Sequence, residues 1–288
     1  MTHSRSPGWP LDRTSWVVLG AYYVVAVALS VGMGLLIAEV LDAGAFGRAD
    51  LDISEWFADR RTPTWNDLAQ LGAGLADTLV VVPVCAVVVA VFWLRWRRFH
   101  EATLVVGSIL VEKAVFVSTT FLVDRERPPV GQLDGSPPTS SFPSGHVAAA
   151  VGLYFGLWLV LRIHGSPRAV QAIAFVLAAG VVLTVSASRL ELGMHYASDV
   201  VWGVILGSVT LFVMYRAVRW PPELRSPSSP LPRSSRQPAA ATRGPASEPD
   251  RVARSVPGPR RNGDREPPRA PVRTPPGSPL RRTGSTGC

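Results

Sequence analysis

Cysteine is almost missing from this chain. Two occur in 288 residues, Cys85 inside an apolar run and Cys288 at the last position. That scarcity excludes a disulfide framework and a cysteine-built metal cluster. Lysine is scarcer still: Lys113 stands alone among 29 basic residues, a bias of coding composition that singles out one position. The first 220 residues carry no charge excess of either sign. The formal net charge of +8 arises from about Pro221 onward, where thirteen arginines face five acidic residues. The same stretch holds 16 of the 26 prolines. A segment so poor in apolar side chains does not bury enough surface to offset its ordering entropy, so residues 220–288 are expected to form a disordered Pro/Arg/Ser-rich tail. Its arginines lack interleaved aromatics, which argues against nucleic acid as a partner. A solvated linker is expected, with a loose hold on anionic lipid as the weaker alternative. There is no internal repeat.

What the chain does have is long apolar runs, and 47% of all residues are hydrophobic. Six runs are long enough, or nearly so, to cross roughly 30 Å of hydrocarbon: about Trp16–Ala38, Ala76–Leu94, Ala102–Val123, Val147–Ile163, Ala169–Ala187 and Val200–Val218. The expected fold is all-α, a polytopic membrane protein built as a six-transmembrane helical bundle over residues 16–219, preceded by a short cytoplasmic segment, 1–15. The first run exceeds the 7–15 apolar residues usual in a secretory signal, so a retained anchor is expected. Arginine placement sets the orientation. With the amino terminus inside, Arg95, Arg97, Arg98, Arg162, Arg168, Arg216, Arg219 and the tail are cytoplasmic. The first outer loop is acidic, with Asp42, Asp50, Asp52, Glu55, Asp59 and Asp67. Within it, Leu51–Phe57 fits a short amphipathic interfacial helix or a plain loop with a buried tryptophan.

Three polar segments interrupt this pattern, and the threading brings all three to the outer face. Ionisable residues at membrane depth are costly and point to function. In Ser188-Arg189 … His195 … Asp199, the i, i+4 spacing of the last two places them on one helix face. A carboxylate there is expected to accept from one ring nitrogen and leave the other nucleophilic; an interfacial histidine beside a helix-starting aspartate fits equally. Pro143-Ser144-Gly145-His146 opens the fourth run, where free backbone N–H groups suit a phosphate and His146 is placed to donate a proton. An ordinary capped helix start is the alternative. Arg127, held extended by Pro128, offers a guanidinium to a phosphate, although a solvated basic loop would be the default for Arg125 and Arg127 taken singly. Two arginines to gather a phosphate, one histidine to attack it and one to protonate what leaves amount to a site for removing phosphate from a lipid.

The three segments resemble the signature of the type 2 phosphatidic acid phosphatase family: lysine, six residues, Arg-Pro; then Pro-Ser-Gly-His; then Ser-Arg, five residues, His, three residues, Asp. The second and third elements match without a gap at Pro143–His146 and Ser188–Asp199. The resemblance spans about Trp16 to Arg219 and leaves out the tail. It implies a six-span bundle and a cell-membrane phosphatase without metal or other cofactor. By the same resemblance His195 forms a phosphohistidine, Asp199 orients and charges it, and His146 protonates the leaving oxygen. Arg127, Ser144, Gly145 and Arg189 hold the phosphate. The first element departs from the pattern, because Thr120 stands where the family has lysine. Lys113 lies seven positions deeper, roughly 10 Å along a helix, and is expected to pair with a carboxylate such as Glu112 or Glu39. Arg125 is the candidate for the missing positive charge.

The expected activity is hydrolysis of a lipid phosphomonoester or polyprenyl diphosphate on the extracytoplasmic face, with membrane lipids as surroundings. A lipid phosphotransferase using the same site is the alternative within this chemistry. A non-catalytic scaffold acting through the basic tail is the alternative outside it. The residues specify neither the lipid nor an oligomeric state.

Overall fold

The computed structural model describes residues 9–135 and 140–225, all within one compact unit, Met1–Pro232. Regular structure among the described residues is wholly helical. Helix α1, Arg13–Leu35, continues into a wider π-type turn, Leu36–Leu41. Asp12 starts α1 by accepting from the Ser15 N–H at 2.8 Å, satisfying a donor the helix itself leaves unpaired. Helices α2, Ala45–Ala58, and α3, Pro63–Gly74, follow. Thr62 caps α3 on the Trp65 N–H at 3.2 Å, and Pro63 occupies the first turn, where its missing N–H costs nothing. Then come α4, Thr78–Trp96, capped by Asp77, and α5, His100–Leu122. Helix α6, Gly145–Ala150, runs through a second π-type turn, Val151–Phe155, into α7, Gly156–Ile163. The last elements are α8, Arg168–Glu191, α9, Ala197–Ala217, and the short α10, Pro222–Arg225.

Six of the resulting helical stretches are long and apolar enough to cross a membrane: Arg13–Leu41, Pro63–Trp96, His100–Leu122, Gly145–Ile163, Arg168–Glu191 and Ala197–Ala217. Leu79, Phe121, Leu183 and Val201 stand exposed on their outward faces, surface that hydrocarbon would cover. The protein is a multi-pass membrane protein of the all-α class. The centre of the bundle is α5, α9 and the α6–α7 rod, where Leu104, Val105, Leu153, Leu211 and Met214 are buried together. Helices α6 and α9 meet backbone to backbone: a Cβ on Gly203 would lie 2.6 Å from the Ser144 carbonyl oxygen, and one on Gly207 2.7 Å from that of Ala148. Small residues allow this approach where no aqueous hydrophobic effect drives helices together.

The structure departs from the sequence reading in the outer loop and at the last boundary. The second run is longer than expected, because α3 precedes α4 around the corner Leu75–Asp77 and packs along α8. A helix does form in the acidic segment, but it covers Ala45–Ala58 rather than Leu51–Phe57, and Trp56 is half exposed instead of buried. The fold also continues past residue 219. The Arg219 N–H donates to the Pro10 carbonyl at 2.9 Å, and Trp220 is buried with its indole N–H on the Tyr215 carbonyl at 3.0 Å. The remainder of the expected tail, 226–288, and residues 1–8 of the amino-terminal segment lie outside the described residues.

Candidate active site

The three polar segments meet at one end of the bundle. The Ser144 N–H donates to the Asp199 carbonyl at 3.1 Å, joining the second segment to the third. The Ser141 N–H donates to the Arg125 carbonyl at 2.9 Å, joining the second to the first. Arg127 reaches the third, with Nη1 3.2 Å from the Met194 sulfur.

His195 is buried in the short link between α8 and α9. Its Nδ1 donates to the Ser141 carbonyl oxygen at 2.6 Å. A carbonyl only accepts, so this bond fixes the proton on Nδ1 and leaves Nε2 with its lone pair. Asp199 Oδ2 stands 3.8 Å from Nδ1, within ion-pair reach but beyond a hydrogen bond. The expected His195–Asp199 hydrogen bond is therefore replaced by one to a main-chain carbonyl. The reason is that Asp199 is already engaged. Oδ2 accepts from the Tyr196 N–H at 2.8 Å as part of the cap of α9, and Oδ1 accepts from Arg125 Nη1 at 2.5 Å. Burial pushes the His195 imidazole below its usual pKa, against the opposing pull of Asp199.

Arg125 is the hub behind this arrangement. Its guanidinium also reaches Asp42 at 2.9 Å, Asp50 at 3.1 Å and the Ser198 hydroxyl at 2.8 Å, and it lies 4.1 Å over the Tyr196 ring. Burial opposes its charge, but Asp199, Asp42 and Asp50 outweigh that and hold its pKa above the ordinary arginine value. With three carboxylates around it, Arg125 is a structural cation and does not replace the missing lysine. Asp42 and Asp50 were visible as acid in the first outer loop, but nothing local assigned them a partner 75 or more residues away.

In front of His195 lie donors of a different kind. Arg189 is buried, with Nη1 on Asp134 Oδ2 at 2.8 Å and Nε without a partner among the described residues. The hydroxyls of Ser141 and Ser144 are likewise buried and unpartnered, and Ser144 makes no side-chain cap to α6. Burying polar groups in this state is unfavourable unless a ligand or an ordered water meets them. Gly145 is tightly enclosed: a Cβ there would meet the Phe116 ring at 2.9 Å. His146, on the first turn of α6, is within electrostatic range of Arg189 and His195. Arg127 feels the charges of Arg189 and Asp134, and burial and Arg189 lower its pKa. All seven residues singled out in the sequence thus fall at one end of the bundle.

Lys113 forms no salt bridge with Glu112 or Glu39 among the described residues, although its charge reaches Glu112. Its ammonium rests 4.8 Å over the Phe116 ring, one turn nearer the site, and both Glu112 carboxylate oxygens are buried without partners. Thr120 turns its hydroxyl back to the Val117 carbonyl at 3.0 Å. Sequence reasoning missed Arg61, which donates to the carbonyls of Val130 at 2.7 Å, Gly131 at 3.0 Å and Glu191 at 2.8 Å. It clasps the loop after Arg127 to the end of α8. Among the described residues, no group of three or more His, Cys, Asp or Glu side chains is arranged to hold a metal ion.

Residues 101–222 match the sequence model of the PAP2 superfamily. No curated protein matches the chain. Among solved structures, a transmembrane PAP2-type phosphatidylglycerolphosphate phosphatase from Bacillus subtilis superposes with a TM-score of 0.55 at 20% identity, over 69% of this chain and 92% of that one. Aquifex aeolicus LpxE aligns over 58% of this chain and 94% of its own, at 20% identity and a TM-score of 0.46. The family match covers less than half of the chain, and the superposition on the Bacillus subtilis protein shows a shared helical fold.

Proposed function

We propose that the protein is an integral membrane phosphatase that hydrolyses a lipid phosphomonoester or polyprenyl diphosphate through a phosphohistidine. The observation that carries this reading is the set of buried donors without partners, Arg189 Nε and the Ser141 and Ser144 hydroxyls, beside a histidine whose Nδ1 is committed to a carbonyl. Such a set suits the equatorial oxygens of a transferring phosphoryl group. Arg127 and Gly145 complete the cradle.

In the first step His195 Nε2 attacks phosphorus and the bond from phosphorus to the leaving oxygen breaks. That oxygen takes a proton from His146 and departs as the lipid alcohol, or as the lipid monophosphate when the substrate is a diphosphate. Asp199, 3.8 Å from Nδ1, favours the positive charge that builds on the ring. In the second step His146 accepts a proton from water, the water oxygen bonds to phosphorus, and the N–P bond breaks to give inorganic phosphate. Arginine placement favours an extracytoplasmic site at the cell membrane, with the carboxyl-terminal tail cytoplasmic.

The test is phosphate release by the purified full-length protein against phosphatidic acid, phosphatidylglycerophosphate and polyprenyl phosphates and diphosphates. Activity on at least one is expected, unchanged by chelator and abolished in His195→Ala. Activity retained in that variant would overturn the mechanism.

A further inference from the structure

The loop between α5 and α6 is held at three points before it reaches the pocket. Arg61 grips the carbonyls of Val130 and Gly131, and the Leu133 N–H donates to the Leu192 carbonyl at 3.0 Å. The next residue, Asp134, is thereby delivered to Arg189, where Oδ2 accepts from Nη1 at 2.8 Å. Arg189 is almost wholly buried, whereas the Asp134 side chain keeps 28% of its surface exposed. The charge of Asp134 also reaches Arg127 and His146. A carboxylate from an anchored loop thus engages one of the two arginines assigned to the phosphate, while Nε of the same guanidinium has no partner among the described residues.

We infer that Asp134 is a specificity-determining residue that competes with phosphate for Arg189. This rests on reading the pocket as a phosphate site. A phosphoryl oxygen and a carboxylate oxygen ask for the same donor in the same plane, so a substrate must displace Asp134 from Nη1 or share the guanidinium with it. A lipid phosphate offsets that loss because its chains keep it in the membrane beside the pocket, at a high effective concentration. Inorganic phosphate, the product, has no chain to offset it. Asp134 therefore lowers the affinity of the pocket for free phosphate, speeds product release and biases the site toward phosphate carried on a lipid. A carboxylate that merely oriented Arg189 would act in the opposite direction, because its removal would loosen the guanidinium and weaken phosphate binding.

The two directions are separated by calorimetric titration of inorganic phosphate into the full-length protein in detergent. Wild type is compared with Asp134→Asn, Asp134→Ser and Arg189→Ala. Both Asp134 variants are expected to bind phosphate about tenfold more tightly, the scale of one hydrogen bond to a charged group. In turnover of a lipid phosphate they are expected to show a lower KM, stronger inhibition by inorganic phosphate and a reduced kcat. Two substitutions are used so that a folding defect in one leaves the other to decide. Phosphate binding that is unchanged or weaker in the Asp134 variants would overturn the competition while leaving the phosphate site standing. Undiminished binding in Arg189→Ala would overturn the phosphate site itself, and the competition with it.

Discussion

Arg125 and Asp199 lie 74 positions apart in the chain and 2.5 Å apart in space. The same guanidinium holds Asp42 and Asp50, so one cation joins the end of α1, helix α2, the loop after α5 and the start of α9. A single ion pair on a surface would contribute little. Here Arg125, Asp50 and Asp199 are all nearly inaccessible to solvent, and removing one partner leaves charges uncompensated.

Arg125→Ala is accordingly expected to destabilise the protein by about 3–5 kcal/mol, the usual scale for breaking a buried pair. Phosphate release should fall at least about tenfold with it, since the backbone of Arg125 and the cap of α9 set the place of His195. Arg125→Lys should recover part of the stability, because an ammonium cannot reproduce the planar fork. Thermal unfolding in detergent checks both. An unaltered melting temperature in Arg125→Ala would remove the hub from the account.

The pH dependence follows from His195. Attack needs the lone pair on Nε2, so activity is present above the folded-state pKa and lost as pH falls through it. Burial lowers that value, so the acid limb of kcat/KM is expected below the ordinary histidine value of about 6.5. The linked stability has the same sign. The unfolded chain takes up the proton at higher pH, so this group's contribution weakens as pH falls below the unfolded value. A pH profile of kcat/KM from 4 to 9 tests the position of the limb, and one centred above about 7 would contradict it.

The serine hydroxyls separate catalysis from stability. Ser141→Ala and Ser144→Ala each remove a buried donor with no partner among the described residues, so neither should lower the melting temperature. Each should lower kcat/KM about tenfold, as expected for one hydrogen bond to a charged phosphoryl oxygen. The opposite pattern, lost stability with full activity, would show that the hydroxyls serve the fold.

Gly145 tests the packing at the start of α6. Gly145→Ala would drive a methyl into the Phe116 ring, at an expected cost of about 1–3 kcal/mol. Combining it with Phe116→Leu should return part of that loss, and a double-mutant cycle by thermal unfolding measures the coupling. Strict additivity of the two changes would mean that the ring and the loop do not press on each other.

Parts of this arrangement were legible from residues alone. The six spans were readable because each membrane crossing is one continuous apolar run. The residues that gather at one end of the bundle were readable because each group sits in one short segment with fixed internal spacing. Helix α3 was not. Residues 63–74 mix Pro63, Asn66, Asp67 and Gln70 with apolar side chains, and the helix is defined by close packing on α8, where Gly72 lies against Ser188. Lys113 was expected to find a carboxylate from its neighbours in sequence, but its ammonium settles over Phe116 instead. Trp220 looked like the start of a polar tail, yet it packs under the end of α9.

The sequence by itself determined the six membrane-length apolar stretches and the chemical inventory at their ends, because hydropathy and motif spacing are local properties. Only the tertiary structure decided which groups are engaged by other side chains and which are left without a partner among the described residues. Arg125 and Arg189 are both arginines at helix ends, and nothing local distinguishes them. The first is surrounded by Asp42, Asp50 and Asp199, and the second keeps Nε without a partner among the described residues, beside Asp134. That difference arises from chain crossings tens of residues long, and electrostatic pairing depends on distance in space rather than along the chain.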